Sequence, residues 1–304
     1  MAKELKPRTA SGYDTDVTLA CERTLLTLLS AFGNLKDTLR LVGGLVPRYL
    51  TPESPPDVPM HVGTSDVDIV LNLEVLAVGN EYTSLADQLK ARGFERWLED
   101  GKAASWRWRR RVDKQIEVVV ELLRDAGNDT PGKTVSVSGE SVSALTIKHA
   151  GIVSDWYEER EVAAALLDGG GISVDVVRFA DVPSFVILKA IALDQRQENK
   201  DAADLIHVIR YSGSVKEVAA LFVDRFRSGL HQEALRDGLA ALARRFCDDD
   251  YGEGFEKVGA VAYARFFAIE NDDERIGAQR YASGLIQALL HEIKMQTSRQ
   301  LHNK

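Results

Sequence analysis

The sequence has few of the residues and segments that mark secreted, membrane-bound or disulfide-stabilised proteins. Its 304 residues include only two cysteines, Cys21 and Cys247, which are too few and too far apart to predict a disulfide framework or a cysteine-bound metal. No apolar run approaches the roughly 18 residues that a membrane-spanning helix needs. The N-terminal stretch MAKELKPRTASGYD has basic residues but no apolar core, unlike a secretory signal. These absences predict a cytoplasmic protein with no membrane partner.

The chain also lacks an excess of basic residues and the histidine pattern of a zinc site. Its formal net charge is −8, whereas proteins that coat nucleic acid non-specifically are usually basic. Any nucleic-acid substrate would therefore have to meet a local basic patch. The six histidines form no H-E-x-x-H motif or close pair, so zinc is not expected. An acidic balance does suit a site whose carboxylates are neutralised by a metal.

What the sequence does contain is a mixed series of helical and β-like segments, followed by a purely helical part. Residues 16–32, 158–167 and 181–197 are predicted as helices. The β-like segments are LRLVGG, SDVDIVLNL, FERWL, SWRWRRRV, QIEVVVELL and ISVDVV. We predict an α/β domain over residues 1–180, with a mixed sheet flanked by helices. An all-helical C-terminal domain follows over residues 181–304, with Lys189 and Asp204 facing the cleft between the domains.

Two aspartates at the start of a predicted strand carry the strongest chemical signal. Asp66 and Asp68 stand two residues apart in GTSDVDIVL, so a strand would point both carboxylates to one face. Like charges that close oppose ionisation unless a cation lies between them. Magnesium prefers oxygen ligands and usually takes a few carboxylates together with substrate phosphates. The pattern therefore predicts a magnesium site, in which two ions would activate an attacking hydroxyl and stabilise leaving pyrophosphate.

A third carboxylate is expected from a neighbouring strand. QIEVVVELL alternates, with Glu117, Val119 and Glu121 on one face. The other face carries only apolar residues, Ile116, Val118, Val120 and Leu122. Glu121 is the first choice and Glu117 the second, because the sequence does not fix how the strands are registered. The competing interpretation is that D-x-D merely begins an exposed strand and that the glutamates face solvent.

These segments together resemble a known enzyme family. LVGG, GTSDVDIVL, the acidic strand and LKAIALDQRQENKDAADL are similar to nucleotidyltransferases of the DNA polymerase β superfamily, in particular the AbiEii-type toxins of toxin–antitoxin and abortive-infection systems. The resemblance covers roughly Leu41 to Arg210. It implies a nucleotidyltransferase-type fold, magnesium ions, an NTP substrate and an RNA acceptor such as the 3′ end of a tRNA. It also implies a toxin role with a cognate antitoxin.

The resemblance further assigns roles to individual residues. Gly43 and Gly44 would lie under the nucleotide phosphates, and a later lysine that contacts the nucleotide corresponds to Lys189. The other residues implied for the site are Asp66 and Asp68 as metal ligands, Thr64 with Ser65 beside the nucleotide, Arg196 and Lys200 as phosphate contacts, and Asp204 as a polar catalytic residue with Asp201 beside it.

The spacing of the three cations agrees with this assignment. Lys189, Arg196 and Lys200 fall within about 20° of one line if their helix is continuous. Such a face could cradle a triphosphate, with arginine forming bidentate bonds and lysine acting as a point charge. The alternative is a solvated helix face that makes i,i+4 ion pairs.

Two features depart from the family pattern. A proline-rich loop lengthens the gap between the glycine pair and Asp66 well beyond the family's usual spacing. Loops accommodate insertions at little cost, but this one could alter which acceptor fits. The third acid would be glutamate, where the family often has aspartate.

A rival motif lies at Gly127–Thr134, where GNDTPGKT matches the P-loop pattern G-x-x-x-x-G-K-[ST]. A P-loop needs a helix after it, whose N–H groups point at phosphate. The residues that follow Lys133 alternate like a strand, and Pro131 lacks an N–H donor. An ordinary polar loop between strands is therefore the preferred interpretation.

The segment Trp106–Arg111 interleaves aromatic and cationic residues. It has two interpretations: a surface that binds an RNA backbone beside a stacking platform, or a sheet with packed tryptophans and solvated arginines. The second is preferred.

The overall prediction is a metal-dependent nucleotidyltransferase that moves an NMP from an NTP to an acceptor hydroxyl. The alternatives are a non-catalytic binding module on the same fold and, less favoured, a P-loop NTPase.

Overall fold

The structure, a computed structural model, describes residues 6–51, 57–71, 84–99, 102–136, 142–167 and 169–301. The chain forms two compact units. Residues 14–49 and 63–181 form an α/β unit, and residues from 182 onward form a helical unit. The described parts of segments 1–13 and 50–62 also belong to the helical unit. The sequence analysis assigned both segments to the α/β domain, whereas their contacts group them with the helical unit. Residues 52–56, part of the predicted proline-rich loop, lie outside the described residues.

The α/β unit combines a mixed sheet with helices. Among its described residues, the helices are α1 (Thr15–Phe32), α2 (Pro47–Leu50) and α3 (Leu85–Ala91). Its strands are β1 (Leu39–Val42), β2 (Asp66–Leu71), β3 (Phe94–Glu99), β4 (Lys102–Arg111), β5 (Glu117–Asp125), β6 (Thr134–Ser136), β7 (Ser143–Ile147), β8 (Tyr157–Ala165) and β9 (Ile172–Ala180). Residues 158–167 were predicted as a helix, and this prediction is wrong. Strand β8 pairs antiparallel with β9 from Tyr157 to Ala165, and this pairing overrides the helical propensity of its alanines.

The sheet has the strand order β3-β4-β5-β2-β1-β9-β8, with β7 also paired to β5 and β6 to β7. The pairs β2–β5, β1–β9 and β5–β7 are parallel, and the other pairs are antiparallel. The predicted mixed sheet is therefore confirmed. Strand β5 lies near its centre and buries Val118, Val120 and Leu122 completely on one face. Its other face carries Glu117 and Glu121, as the alternation of the sequence predicts.

The helical unit contains α4 (Val182–Arg196), α5 (Asn199–Tyr211), α6 (Val215–Ser228), α7 (Gln232–Phe246), α8 (Val258–Phe266) and α9 (Asp272–Leu301). A capping box between Ser214 and Glu217 begins α6. Helix α4 ends at Arg196, and Gln197 takes a left-handed conformation with φ of 55° before α5 begins. The continuous helix assumed for Lys189 and Lys200 is therefore wrong. No helix among the described residues is long and apolar enough to cross a membrane.

Candidate active site

The strand register brings three carboxylates together on one face of the α/β unit. Asp68 on β2 is the direct partner of Glu121 on the parallel strand β5, and Asp66 is the partner of Val119. Directly paired residues point to the same face, so Glu121 lies beside both aspartates. One ligand oxygen from each of Asp66, Asp68 and Glu121 lies within 4.8 Å of the other two. We call these three side chains the acidic triad.

Glu117 occupies the same face of β5 but has different neighbours. Its partner across β4 is Arg111, and its Oε2 lies 3.7 Å from Nη1 of Arg109. The register thus groups Glu121, rather than Glu117, with the two aspartates. Alternation along the sequence alone could not choose between Glu117 and Glu121, because it places both glutamates on the same face of β5.

Asp66 is held in place by Thr64. The Thr64 hydroxyl donates to Asp66 Oδ1 at 2.7 Å, and both residues are buried. The carbonyl oxygen of Thr64 accepts in turn from the Thr18 hydroxyl and the Cys21 thiol of α1. Thr64 was predicted to line the nucleotide site, and the structure shows that its hydroxyl fixes one member of the acidic triad. Ser65, between the two, is half-buried.

The glycine pair lies directly against the triad. Val42, the last residue of β1, pairs with Asp68, and Gly43 follows with φ of 73°, a left-handed conformation that suits glycine. A Cβ at residue 43 would overlap the Asp68 carboxylate. Gly44 is buried in the short turn that continues from it. The absence of a side chain at Gly43 is therefore what leaves room for the Asp68 carboxylate.

Arg107 neutralises part of the triad's charge. It is the partner of Glu121 across the antiparallel pair β4–β5. Its Nη2 lies 2.7 Å and its Nε 3.0 Å from the same oxygen, Glu121 Oε1. The Arg107 side chain is 25% exposed and that of Glu121 13%, so the pair is only partly screened by water.

The chemistry of the triad fits a divalent cation. Three carboxylates supply the oxygen ligands that magnesium takes in proteins. Carboxylates this close to one another favour a cation between them. Gly43 contributes by leaving room for the Asp68 carboxylate itself.

The predicted phosphate-binding cations lie in the helical unit, where each contacts a carboxylate. Lys189 is buried, with its Nζ 2.9 Å from Asp201 Oδ1 and 2.8 Å from Asp204 Oδ2. Arg196 donates to both oxygens of Asp201 through Nε and Nη2. Lys200 Nζ lies 2.7 Å from Asp204 Oδ1. The last contact is the i,i+4 pair that the alternative interpretation predicts.

These charges stabilise one another in a buried setting. Burial by itself would lower the pKa of Lys189, but Asp201 and Asp204 outweigh it and raise that pKa above its ordinary value. Burial would raise the pKa of Asp204, yet Lys189 and Lys200 hold it well below its usual range. Lys189 and Asp204 are therefore both ionised at neutral pH.

His61 joins this cluster and was not predicted from the sequence. Its Nε2 lies 2.9 Å from Asp204 Oδ1, and its ring contacts that of His207 edge to face. His207 Nε2 lies 3.2 Å from the Thr51 hydroxyl. Burial lowers the pKa of His61 and lowers that of His207 to about 3, so both rings are neutral. His61 stands in a loop far from Asp204 in sequence, and no local pattern indicates the contact.

The P-loop-like motif lacks the structure that a phosphate cradle requires. Strand β6 begins at Thr134 itself, where a P-loop would begin a helix. The residues from Gly127 to Lys133 form an exposed loop, and the backbone N–H of Lys133 donates to the Thr146 hydroxyl. This arrangement agrees with the preferred interpretation of a polar loop between strands.

In the segment Trp106–Arg111, one tryptophan is packed and one is not. Trp108 is fully buried, whereas Trp106 is half-buried beneath the Arg107 guanidinium, 4.3 Å from its ring centre. Arg109 bonds to Glu95 of β3 at 2.8 Å. The preferred interpretation, packed tryptophans and solvated arginines, thus describes Trp108 but not Trp106. It also does not describe Arg107 and Arg109, whose side chains are only 25% and 30% exposed and form ion pairs.

Comparison with known proteins adds no family. No protein-family model and no curated protein matches the chain. Among solved structures, the crystal structure of JHP933 from Helicobacter pylori is similar with a TM-score of 0.39 and 10% identity, covering 96% of this chain and 98% of that chain. A similarity this low carries no argument about function.

Proposed function

We propose that the protein is a metal-dependent nucleotidyltransferase that moves an NMP from an NTP to an acceptor hydroxyl, with RNA as the acceptor. The observation that carries the proposal is the acidic triad, whose ligand oxygens lie within 4.8 Å of one another. The sequence resemblance supplies the reaction class and the nucleotidyltransferase-type fold. A toxin role, a cognate antitoxin and the tRNA 3′ end as acceptor rest on that resemblance alone.

The residues of the α/β unit would divide the work as follows. Asp66, Asp68 and Glu121 bind magnesium, which when bound neutralises the phosphates and acidifies the acceptor hydroxyl. Thr64 keeps Asp66 in its binding rotamer through the 2.7 Å hydrogen bond. Gly43 leaves Asp68 unobstructed and allows phosphate oxygens to approach the backbone. Catalysis of this kind consists mainly of positioning and charge neutralisation.

The predicted phosphate contacts of the helical unit already form ion pairs with carboxylates of the same unit. For Lys189, Arg196 and Lys200 to bind a triphosphate, phosphate oxygens would have to replace or join the carboxylates of Asp201 and Asp204. Asp204 serves these cations as a buried counterion, so its proposed catalytic role is indirect. The alternative function, a non-catalytic binding module on the same fold, does not require this exchange.

The test is transfer of label from each radiolabelled NTP to total RNA in the presence of magnesium. Asp68→Asn and Glu121→Gln each remove a ligand charge with little change of shape, so we expect transfer to fall roughly a hundredfold or more. Glu117→Gln is the matched control, because Glu117 shares the strand, face and charge of Glu121 but lies outside the triad. It should retain most of the activity.

Two further results would decide between the functions. Lys133→Ala should leave transfer unchanged, and loss confined to that variant would support the P-loop alternative instead. Absence of transfer from every NTP with the wild-type chain would favour the binding module. Circular dichroism of each variant establishes that a loss of transfer is not a loss of fold.

A further inference from the structure

Arg107 forms an ion pair with Glu121, one of the three carboxylates of the acidic triad. Its Nε and Nη2 both donate to Glu121 Oε1, at 3.0 and 2.7 Å. The register explains this choice: Asp68, Glu121 and Arg107 are direct partners across the adjacent strands β2, β5 and β4. They form one row on the same face of the sheet, with Glu121 in the middle.

In this row, the positive charge of Arg107 lies next to Glu121, one of the three carboxylates proposed to bind a divalent cation. Both N–H groups of Arg107 donate to one oxygen of Glu121, Oε1, so a cation bound through the other oxygen, Oε2, would not compete with Arg107 for the same atom. The guanidinium would then stand on the far side of Glu121 from the cation. It would repel that cation, and it would also relieve the repulsion among the carboxylates when no cation is bound.

We propose that Arg107 is the resident counterion of the acidic triad: it stabilises the cation-free site and, by its charge, limits the affinity for a divalent cation. The proposal rests on the nucleotidyltransferase function above, because it takes the triad as the cation site. It adds a residue on β4 that tunes how readily the cation binds and leaves.

Arg109 provides a matched control on the same strand. It stands two residues from Arg107, on the same face, and it bonds to Glu95 and approaches Glu117, both outside the triad. Arg107→Gln and Arg109→Gln therefore remove the same charge from neighbouring positions. Only the first removes it from Glu121.

The experiment is calorimetric titration of the full chain with Mn²⁺ and with Mg²⁺, combined with thermal unfolding in the absence of cation. In Arg107→Gln we expect the cation to bind roughly threefold to tenfold more tightly, since one repelling unit charge is removed from a partly exposed site. The cation-free protein should unfold at a lower temperature than Arg109→Gln. Arg107→Lys, which keeps the charge, should bind the cation like the wild type.

The double variant Arg107→Gln/Glu121→Gln covers the case in which Arg107→Gln does not fold. If Arg107 acts as a counterion, removing its partner as well should restore cation-free stability; failure to restore it would overturn the proposal. Cation binding by Arg107→Gln that is weaker than, or equal to, that of Arg109→Gln would also overturn it, while leaving the proposed function intact. Absence of cation binding by the wild type would overturn both.

Discussion

At the scale of single residues, Gly43 is the position where the backbone and the site constrain each other most directly. Its φ of 73° is a conformation that L side chains adopt at a cost of roughly 1 kcal/mol. In addition, a Cβ at this position would overlap the Asp68 carboxylate. Gly43 therefore has two separable reasons to be glycine, one conformational and one steric, and only the second concerns the site.

Gly43→Ala is predicted to destabilise the protein by about 2–4 kcal/mol, because overlap with Asp68 adds to the backbone strain. It should also weaken cation binding, since the Asp68 carboxylate must move. Gly132→Ala is the control: Gly132 has a similar φ of 81°, but a Cβ there meets nothing within 4 Å. Urea unfolding and Mn²⁺ titration measure both effects. Equal destabilisation by the two substitutions, with cation binding unchanged, would contradict the steric role.

The residues of the triad were within reach of sequence reasoning, whereas their partners were not. D-x-D and the alternation of β5 suffice to nominate Asp66, Asp68 and a glutamate, because strand periodicity is a local property. Arg107 and His61 were missed as partners because their contacts depend on strand register and on long-range packing. Neither leaves a signal in the spacing of residues along the chain.

At the scale of elements, two predictions based on helical periodicity or propensity were wrong. Strand pairing determines the structure of β8, and a break between α4 and α5 separates Lys189 from Lys200. The alanine-rich segment of β8 favours helix, but its pairing with β9 over the full length of both strands fixes it as a strand. Lys189 and Lys200 share a face only if α4 and α5 are one helix. In the structure the charges meet because Asp201 and Asp204 of α5 contact Lys189 of α4.

The contact between His61 and helix α5 predicts how the stability of the helical unit varies with pH. Burial lowers the pKa of His61 below its ordinary value and that of His207 to about 3, so the His207 ring stays neutral in the folded state at mildly acid pH. In the unfolded state both histidines take up protons near pH 6.5. The unfolded state then binds more protons, so stability is complete above about pH 6.5 and is lost as the pH falls below it.

Between about pH 6.5 and 5, the free energy of unfolding should fall by up to about 1.4 kcal/mol per pH unit for His207, and the lowered pKa of His61 acts in the same direction. His207→Gln should reduce that slope, because the substituted residue does not titrate. His291 on α9 is exposed, and His291→Gln is the matched substitution with which the slope of His207→Gln is compared. Urea unfolding at a series of pH values measures it. An identical slope in wild type and His207→Gln would show that burial of His207 does not contribute.

At the scale of the whole molecule, the helical unit is discontinuous in sequence. Its helices begin at Val182, close to the predicted boundary after residue 180, but its packing includes residues from the N-terminal part of the chain. Tyr13 contacts the ring of Phe266 at 5.9 Å and lies beneath Lys200 at 5.3 Å. Segmental periodicity cannot show such a contribution, because short loops carry no pattern that assigns them to either unit.

A fragment of residues 182–304 is therefore predicted to be less stable than the helical unit in the full chain. It would lack His61, which bonds to the fully buried Asp204 at 2.9 Å, and Thr51, which bonds to His207 at 3.2 Å. Loss of a hydrogen-bond donor to a buried carboxylate costs about 1–3 kcal/mol of stability, and loss of the Tyr13 contacts adds to this.

Urea unfolding followed by circular dichroism should show a lower midpoint and a broader transition for the fragment. His61→Gln and Tyr13→Ala in the full chain should each shift the helical unit's transition part of the way in the same direction. If the fragment unfolds cooperatively at the midpoint of the full chain, residues 6–13 and 50–62 contribute nothing to the helical unit, and the boundary predicted from the sequence is the physical one.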